Sequence, residues 1–177
     1  MQLFHYTHPS LYLHIAYQGL LPHCKELNAP MTGGTPVVWL TRETSNLTTA
    51  KDVEHYVKVF GSCDRKVGEP MYGDTARLTV SLERSDRKLI GYPDFLHQTG
   101  SAAILKMLPL AARTSWWIYL GAIPPHKIEP IDVATMLACL DWHVETHPDP
   151  EARAQFAAQR EQIKDLPADT RIDLSIQ

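Results

Sequence analysis

The chain has 177 residues, enough for one domain with a full-sized core. A hydrophobic fraction of 44% with 21% charged residues excludes wholesale disorder and fibrous repeats. The net charge of −3 supplies no global attraction to nucleic acid or to an anionic membrane, so any such contact would need a local basic patch.

The three cysteines, Cys24, Cys63 and Cys139, are widely spaced and form no CxxC pair. They predict reduced, mostly buried thiols rather than a disulfide framework. The chain does not open on a basic segment followed by an apolar run. Its most apolar stretch, residues 102–112, is broken by Lys106 and Pro109 and is too short to cross a bilayer. A cytoplasmic protein with no membrane contact is the expectation.

In chain order, the apolar-aromatic run at 3–6 predicts a strand. Ser10 can cap a helix through Leu11, Leu13, His14, Ile15 and Gln18, and Gly19 is its stop. Residues 22–36, with Pro22, Pro30 and Gly33-Gly34, predict a loop. Residues 37–41 are β-branched and apolar, a buried strand. Residues 44–51 are turn-like, and 52–60 fit either a helix or a strand, with Val53, Tyr56, Val57 and Phe60 at helical spacing. Residues 61–73 predict a second loop. From Thr75 to Leu82 the pattern alternates strictly: Ala76, Leu78, Val80 and Leu82 on one side, Thr75, Arg77, Thr79 and Ser81 on the other. The charged run 83–88 predicts a solvated turn. After Leu89-Ile90 and Gly91-Tyr92-Pro93 comes a helix near 94–97, then an apolar helix or loop at 101–108. Strands are predicted at 116–120 and 127–131, with a turn at 122–125.

From Asp132 the pattern changes. Asp132 can cap a helix whose apolar stripe is Met136, Leu137, Leu140 and Val144. Pro148 and Pro150 break it, and 151–163 predicts an exposed second helix. Past Pro167 the chain is a polar tail with Ile172, Leu174 and Ile176. These patterns predict an α+β body over residues 1–131 with a helical extension, 132–177, packed on it.

Several side chains have the chemistry of a site. A His at a strand end, as at His5, can hydrogen-bond a ribose hydroxyl, and the strand edge beside Tyr6 and Thr7 offers a donor and an acceptor to a carboxamide. Tyr6 and Trp39 can stack on a flat heterocycle, and Trp39 can equally be core. Thr41 ends its strand and can bond a ligand or cap the next turn. Arg77, on the polar side of its strand, can clamp a pyrophosphate through a bidentate fork or simply face solvent. His143 and His147 are four apart, but no HExxH motif or zinc spacing occurs, and no metal is expected. Gly33-Gly34 has neither the spacing nor the context of a phosphate loop.

The module over residues 3–41 has a recognisable outline: His5-Tyr6-Thr7, about a dozen residues, Gly19-Leu20-Leu21-Pro22, a loop, then Val37-Val38-Trp39-Leu40-Thr41. It resembles the opening of ADP-ribosyltransferase-like proteins, including the DNA-targeting DarT type and the RNA 2′-phosphotransferase type. The resemblance covers about the first quarter of the chain well and the rest loosely. It implies an ADP-ribosyltransferase-like split β-sheet and NAD as cofactor, held by His5, Tyr6, Thr7, Trp39, Leu40, Thr41 and Arg77. His5 would orient the ribose, and Tyr6 or Trp39 would stack on nicotinamide. Transfer of ADP-ribose to a protein or nucleic-acid acceptor would suit a toxin, a phage effector or a defence protein.

One departure stands out. Members often carry a Glu near a later core strand, where it stabilises an oxocarbenium-like transition state. Residues 115–121 contain no acid. Glu43, Glu54 and Glu129 lie elsewhere, and Glu129 on the next apolar segment is the expected catalytic carboxylate, beside His5 and Tyr6. The gap leaves an alternative from another class: a catalytically degenerate nucleotide-binding or protein-interaction module, such as a phage-encoded inhibitor.

Overall fold

The opening apolar-aromatic run forms β1 (Gln2–Thr7), the second strand of a five-stranded sheet. The structure, a computed structural model, describes residues 1–8, 11–22, 29–43, 45, 47–69, 76–108 and 114–172. The expected cap Ser10, Cys24, Thr75, Pro109 and the tail positions Leu174 and Ile176 lie outside the described residues.

Helix α1 (Tyr12–Gln18) follows. It buries Tyr12 and Ile15, while Leu11 is 48% exposed, so Tyr12 takes the inward position expected of Leu11. The helix ends at Gly19, whose N–H donates to the Ile15 carbonyl at 2.7 Å. Gly19 has φ +81°, and a Cβ there would lie 2.1 Å from the Ile123 carbonyl oxygen. Only glycine lets these two backbones meet, and Leu20 and Ile123 then exchange two hydrogen bonds of 2.9 Å. The expected loop at 22–36 contains one helical turn, α2 (Ala29–Thr32).

β2 (Val38–Thr41) is the predicted buried strand. The ambiguous segment after it is a helix, α3 (Ala50–Phe60). A capping box decides this: the Thr49 hydroxyl accepts from the Asp52 N–H, and Asp52 Oδ2 accepts from the Thr49 N–H at 2.8 Å. β3 (Ala76–Ser81), β4 (Leu89–Gly91), α4 (Tyr92–Gln98), a 3₁₀ turn (Ala102–Met107) and β5 (Trp116–Tyr119) complete the sheet and one of its coverings. The strand order is β3-β1-β2-β5-β4, and every neighbouring pair is antiparallel.

Alternation gives the sheet two faces. One carries Leu3, Leu78, Val80, Val38, Leu40, Tyr119 and Leu89, which form the larger core with α1. The other carries Ile118 with Trp39, Trp116 and Ile90, which pack on Tyr92, Phe95 and Leu96 of α4.

The last predicted strand, 127–131, is three pieces instead: a 3₁₀ turn (Pro125–Lys127), an isolated bridge from Ile128 to Val80, and β6 (Ile131–Asp132). Pro130 has no N–H to contribute to a ladder, which breaks the run. β6 pairs with β7 (Arg171–Ile172), two residues of the supposed tail, too few to leave an alternating pattern. Between them lie α5 (Val133–Thr146) and α6 (Pro150–Ile163). Asp132 caps α5 as expected, its Oδ1 accepting from the Thr135 N–H at 2.8 Å. The buried stripe of α5 is Val133, Met136, Cys139, Leu140 and His143; Leu137 and Val144 are only half-buried. Met136, Cys139 and Leu140 belong to the same core cluster as Leu3, Leu78 and Val80. No residue of α6 is buried. The chain is an α+β protein, and among the described residues no helix is long and apolar enough to cross a membrane.

Candidate functional site

Strand alternation separates the expected site residues. His5, Thr7 and Leu40 lie on the larger core's side of the sheet; Tyr6, Trp39, Thr41 and Arg77 lie on the other. β1 and β2 are neighbours and run antiparallel with Phe4 opposite Thr41. Their carboxyl ends therefore point to opposite ends of the sheet.

On the first side, His5 Nδ1 lies 2.8 Å from the Trp39 carbonyl oxygen. A carbonyl only accepts, so Nδ1 carries the hydrogen and donates it. Thr7 and Leu40 are buried. His8 packs edge-on against Trp142 of α5, with ring centroids 5.2 Å apart.

The second side holds the polar cluster. The Tyr6 hydroxyl donates to the Glu43 carbonyl at 2.9 Å, and Thr41 Oγ1 accepts from the Glu43 N–H at 3.1 Å. Both anchors come from the sheet, so the chain leaving β2 folds back over this face and carries Glu43 with it. Across β1, Arg77 is paired with Tyr6 in the ladder, and its guanidinium sits 5.0 Å from the centre of the Phe4 ring. Arg77 itself is exposed.

These groups tune one another. Burial raises the pKa of Tyr6, and the Glu43 charge adds to this, while hydrogen bonding and the charge of Arg77 pull it back. Burial also raises the pKa of the Glu43 carboxyl, helped by the negative charge of Asp52. Asp52, 7% exposed, is held by the Thr49 backbone and hydroxyl. A phenol and a guanidinium thus share one side of the sheet, with Glu43 within electrostatic reach of the phenol and of Asp52 at the start of α3.

Trp39 has a double position. Its ring meets Tyr92 and Trp116 edge-to-face, at 4.9 and 5.7 Å between centroids, as part of the smaller core. Its indole Nε1 is nevertheless buried with no hydrogen-bond partner among the described residues. Leaving a buried donor unpaired costs about 1–3 kcal/mol, so an acceptor from a ligand or a water would be stabilised there.

Glu129 shares the sheet side of Tyr6 but not its cluster. Its Oε1 accepts from Ser81 Oγ at 2.8 Å and from Gln2 Nε2 at 3.1 Å. Gln2 and Ser81 face each other at the far end of the β1–β3 ladder. That end is four residues from Tyr6, about 13 Å along the strand. The acid brought to Tyr6 is Glu43. Its place just after β2 is visible in the sequence; its pairing with Asp52 is not, because a turn and a helix start separate them. The only sequence signal at Asp52 is the Thr49-x-x-Asp52 capping pattern.

Among the described residues no group of three or more His, Cys, Asp or Glu side chains could hold a metal ion. In comparisons with known proteins, no family model, no curated protein and no solved structure matches the chain.

Proposed function

We propose that the chain is an ADP-ribosyltransferase-like protein, in fold and in chemistry. It binds NAD, or a closely related nucleotide, on the sheet side that carries Tyr6, Thr41 and Arg77, and moves ADP-ribose to a protein or nucleic-acid acceptor. The observation that carries this reading is the exposed Arg77 guanidinium held beside the half-buried Tyr6 phenol. Arg77 has the fork that binds a pyrophosphate in two places. The Tyr6 ring offers an aromatic surface, and Trp39 Nε1 offers a donor to a carboxamide or ribose oxygen. His5 acts from the opposite side, through its hydrogen bond to the Trp39 carbonyl. It is a positioning residue, which changes the direct ribose contact expected of it.

The experiment is a calorimetric titration with NAD, followed in the same tube by an assay for free nicotinamide. Binding with release is the expected result. Arg77→Ala should weaken NAD binding about tenfold to a hundredfold, the scale of a charge-assisted hydrogen bond. No binding of NAD to the wild-type protein would remove the reading.

A second reading, the interaction module, is favoured by a separate observation. Val57 and Phe60 of α3, and Met107, whose carbonyl meets His55 of that helix at 3.1 Å, are each 47–53% exposed. Apolar side chains grouped in this way suit a protein partner. NAD binding without nicotinamide release, in the same titration, favours this reading.

A further inference from the structure

Resting on the NAD reading above, we propose that Glu43 is the catalytic carboxylate of the transfer step and accepts the proton of the incoming nucleophile, a role the sequence alone gives to Glu129. Three observations carry it. Glu43 is fixed at both of its backbone polar groups, by the Tyr6 hydroxyl and by Thr41 Oγ1, so its position over the sheet is set by β1 and β2 together. Its side chain is half-buried within electrostatic reach of the Tyr6 phenol, which in turn meets Arg77. Glu129, by contrast, is bound by Gln2 and Ser81 at the other end of the ladder.

In the step, the bond from ribose C1′ to the nicotinamide nitrogen breaks, and its electron pair leaves with nicotinamide, which becomes neutral. The hydroxyl oxygen of the acceptor, or of water where no acceptor is present, forms the new bond to C1′. Its proton passes to the Glu43 carboxylate and then to water. The charge released by the pyridinium is thus balanced by the proton given up. Burial and the neighbouring Asp52 make Glu43 a stronger base than an exposed carboxylate, which suits it to take a proton. The Glu43 negative charge also favours the cationic sugar at C1′.

Glu43→Gln keeps both backbone anchors and the side-chain shape. It should bind NAD within about threefold of wild type but release nicotinamide at least ~100-fold more slowly. Glu43→Asp should recover part of the rate. The wild-type rate should fall as pH drops through the raised pKa of Glu43, and the residual Glu43→Gln rate should lack that limb, a readout that a purely structural role would not move. A Glu43→Gln protein that releases nicotinamide at the wild-type rate overturns the assignment and leaves the NAD reading standing. Loss of release in Glu129→Gln alone does the same. Wild-type protein that binds NAD without releasing nicotinamide also overturns it. Wild-type protein that does not bind NAD removes both the reading and the assignment. If Glu43→Gln does not fold, the wild-type pH profile and Glu43→Asp decide the matter.

Discussion

Glu43 makes a claim on stability as well as on chemistry. Folding raises its pKa above the ordinary 4.5, so the native state holds this proton more tightly than the unfolded chain does. The stabilisation is full below about pH 4.5 and is lost as pH rises through the raised folded value. At neutral pH the ionised group is a burden on the fold. Glu43→Gln should therefore melt higher than wild type at pH 7, with the gap closing toward pH 4; a melting series across that range reads the difference. Tyr92, whose pKa burial pushes up to about 12, is the contrasting case: its hydroxyl simply donates to the Met31 carbonyl at 3.1 Å inside the smaller core. Gly19 is constrained by space. Gly19→Ala forces a Cβ against the Ile123 carbonyl at a backbone conformation that suits glycine. It should cost about 3 kcal/mol or more in urea unfolding, combining strain with a steric clash that cannot relax without parting Leu20 from Ile123.

Among the elements, the two C-terminal helices differ in kind. α5 caps through Asp132 and delivers Met136, Cys139 and Leu140 to the main core. Asp132→Ala should cost about 1 kcal/mol and Leu140→Ala about 2–5 kcal/mol, both read by denaturant titration with an unchanged m-value. α6 offers Phe156, stacked on the His143 ring with centroids 4.5 Å apart, and the exposed Arg160–Asp141 pair, but buries no residue fully. Its amides should exchange with solvent much faster than those of α5, because opening α6 uncovers little apolar surface. The same contrast explains what the sequence made legible. β3 alternates through six residues and α5 carries an aspartate cap before a helical stripe, so each is readable from local pattern. β6 and β7 are two residues each and exist only because they find one another. The stripe of α5 was displaced in part because Cys139 and His143, neither of them a strong apolar signal, turn inward where Leu137 and Val144 were expected.

At the scale of the whole molecule, the boundary at residue 131 cuts through a core. A chain ending there would lose Met136, Cys139 and Leu140 from the cluster that includes Leu3, Leu78 and Val80, and would lose the partner strand of Ile131. Residues 1–131 alone should lack a cooperative thermal transition, whereas the full chain should melt as one unit; calorimetry of both separates them. The sheet also decides what the site contains. The strands of the main sheet, the helix stop at Gly19, the cap at Asp132 and the α+β class follow from periodicity and turn chemistry, which are local and so survive in a linear string. The grouping of side chains does not. His5 and Tyr6 are adjacent in sequence and lie on opposite sides of the sheet, while Tyr6 and Glu43 are far apart and joined by a hydrogen bond. A strand turns each successive side chain to the other face, and a loop returns over a face only when sheet residues anchor it. Which acid stands beside Tyr6 was therefore decided by strand pairing and by the two hydrogen bonds that hold Glu43, which no spacing along the chain encodes.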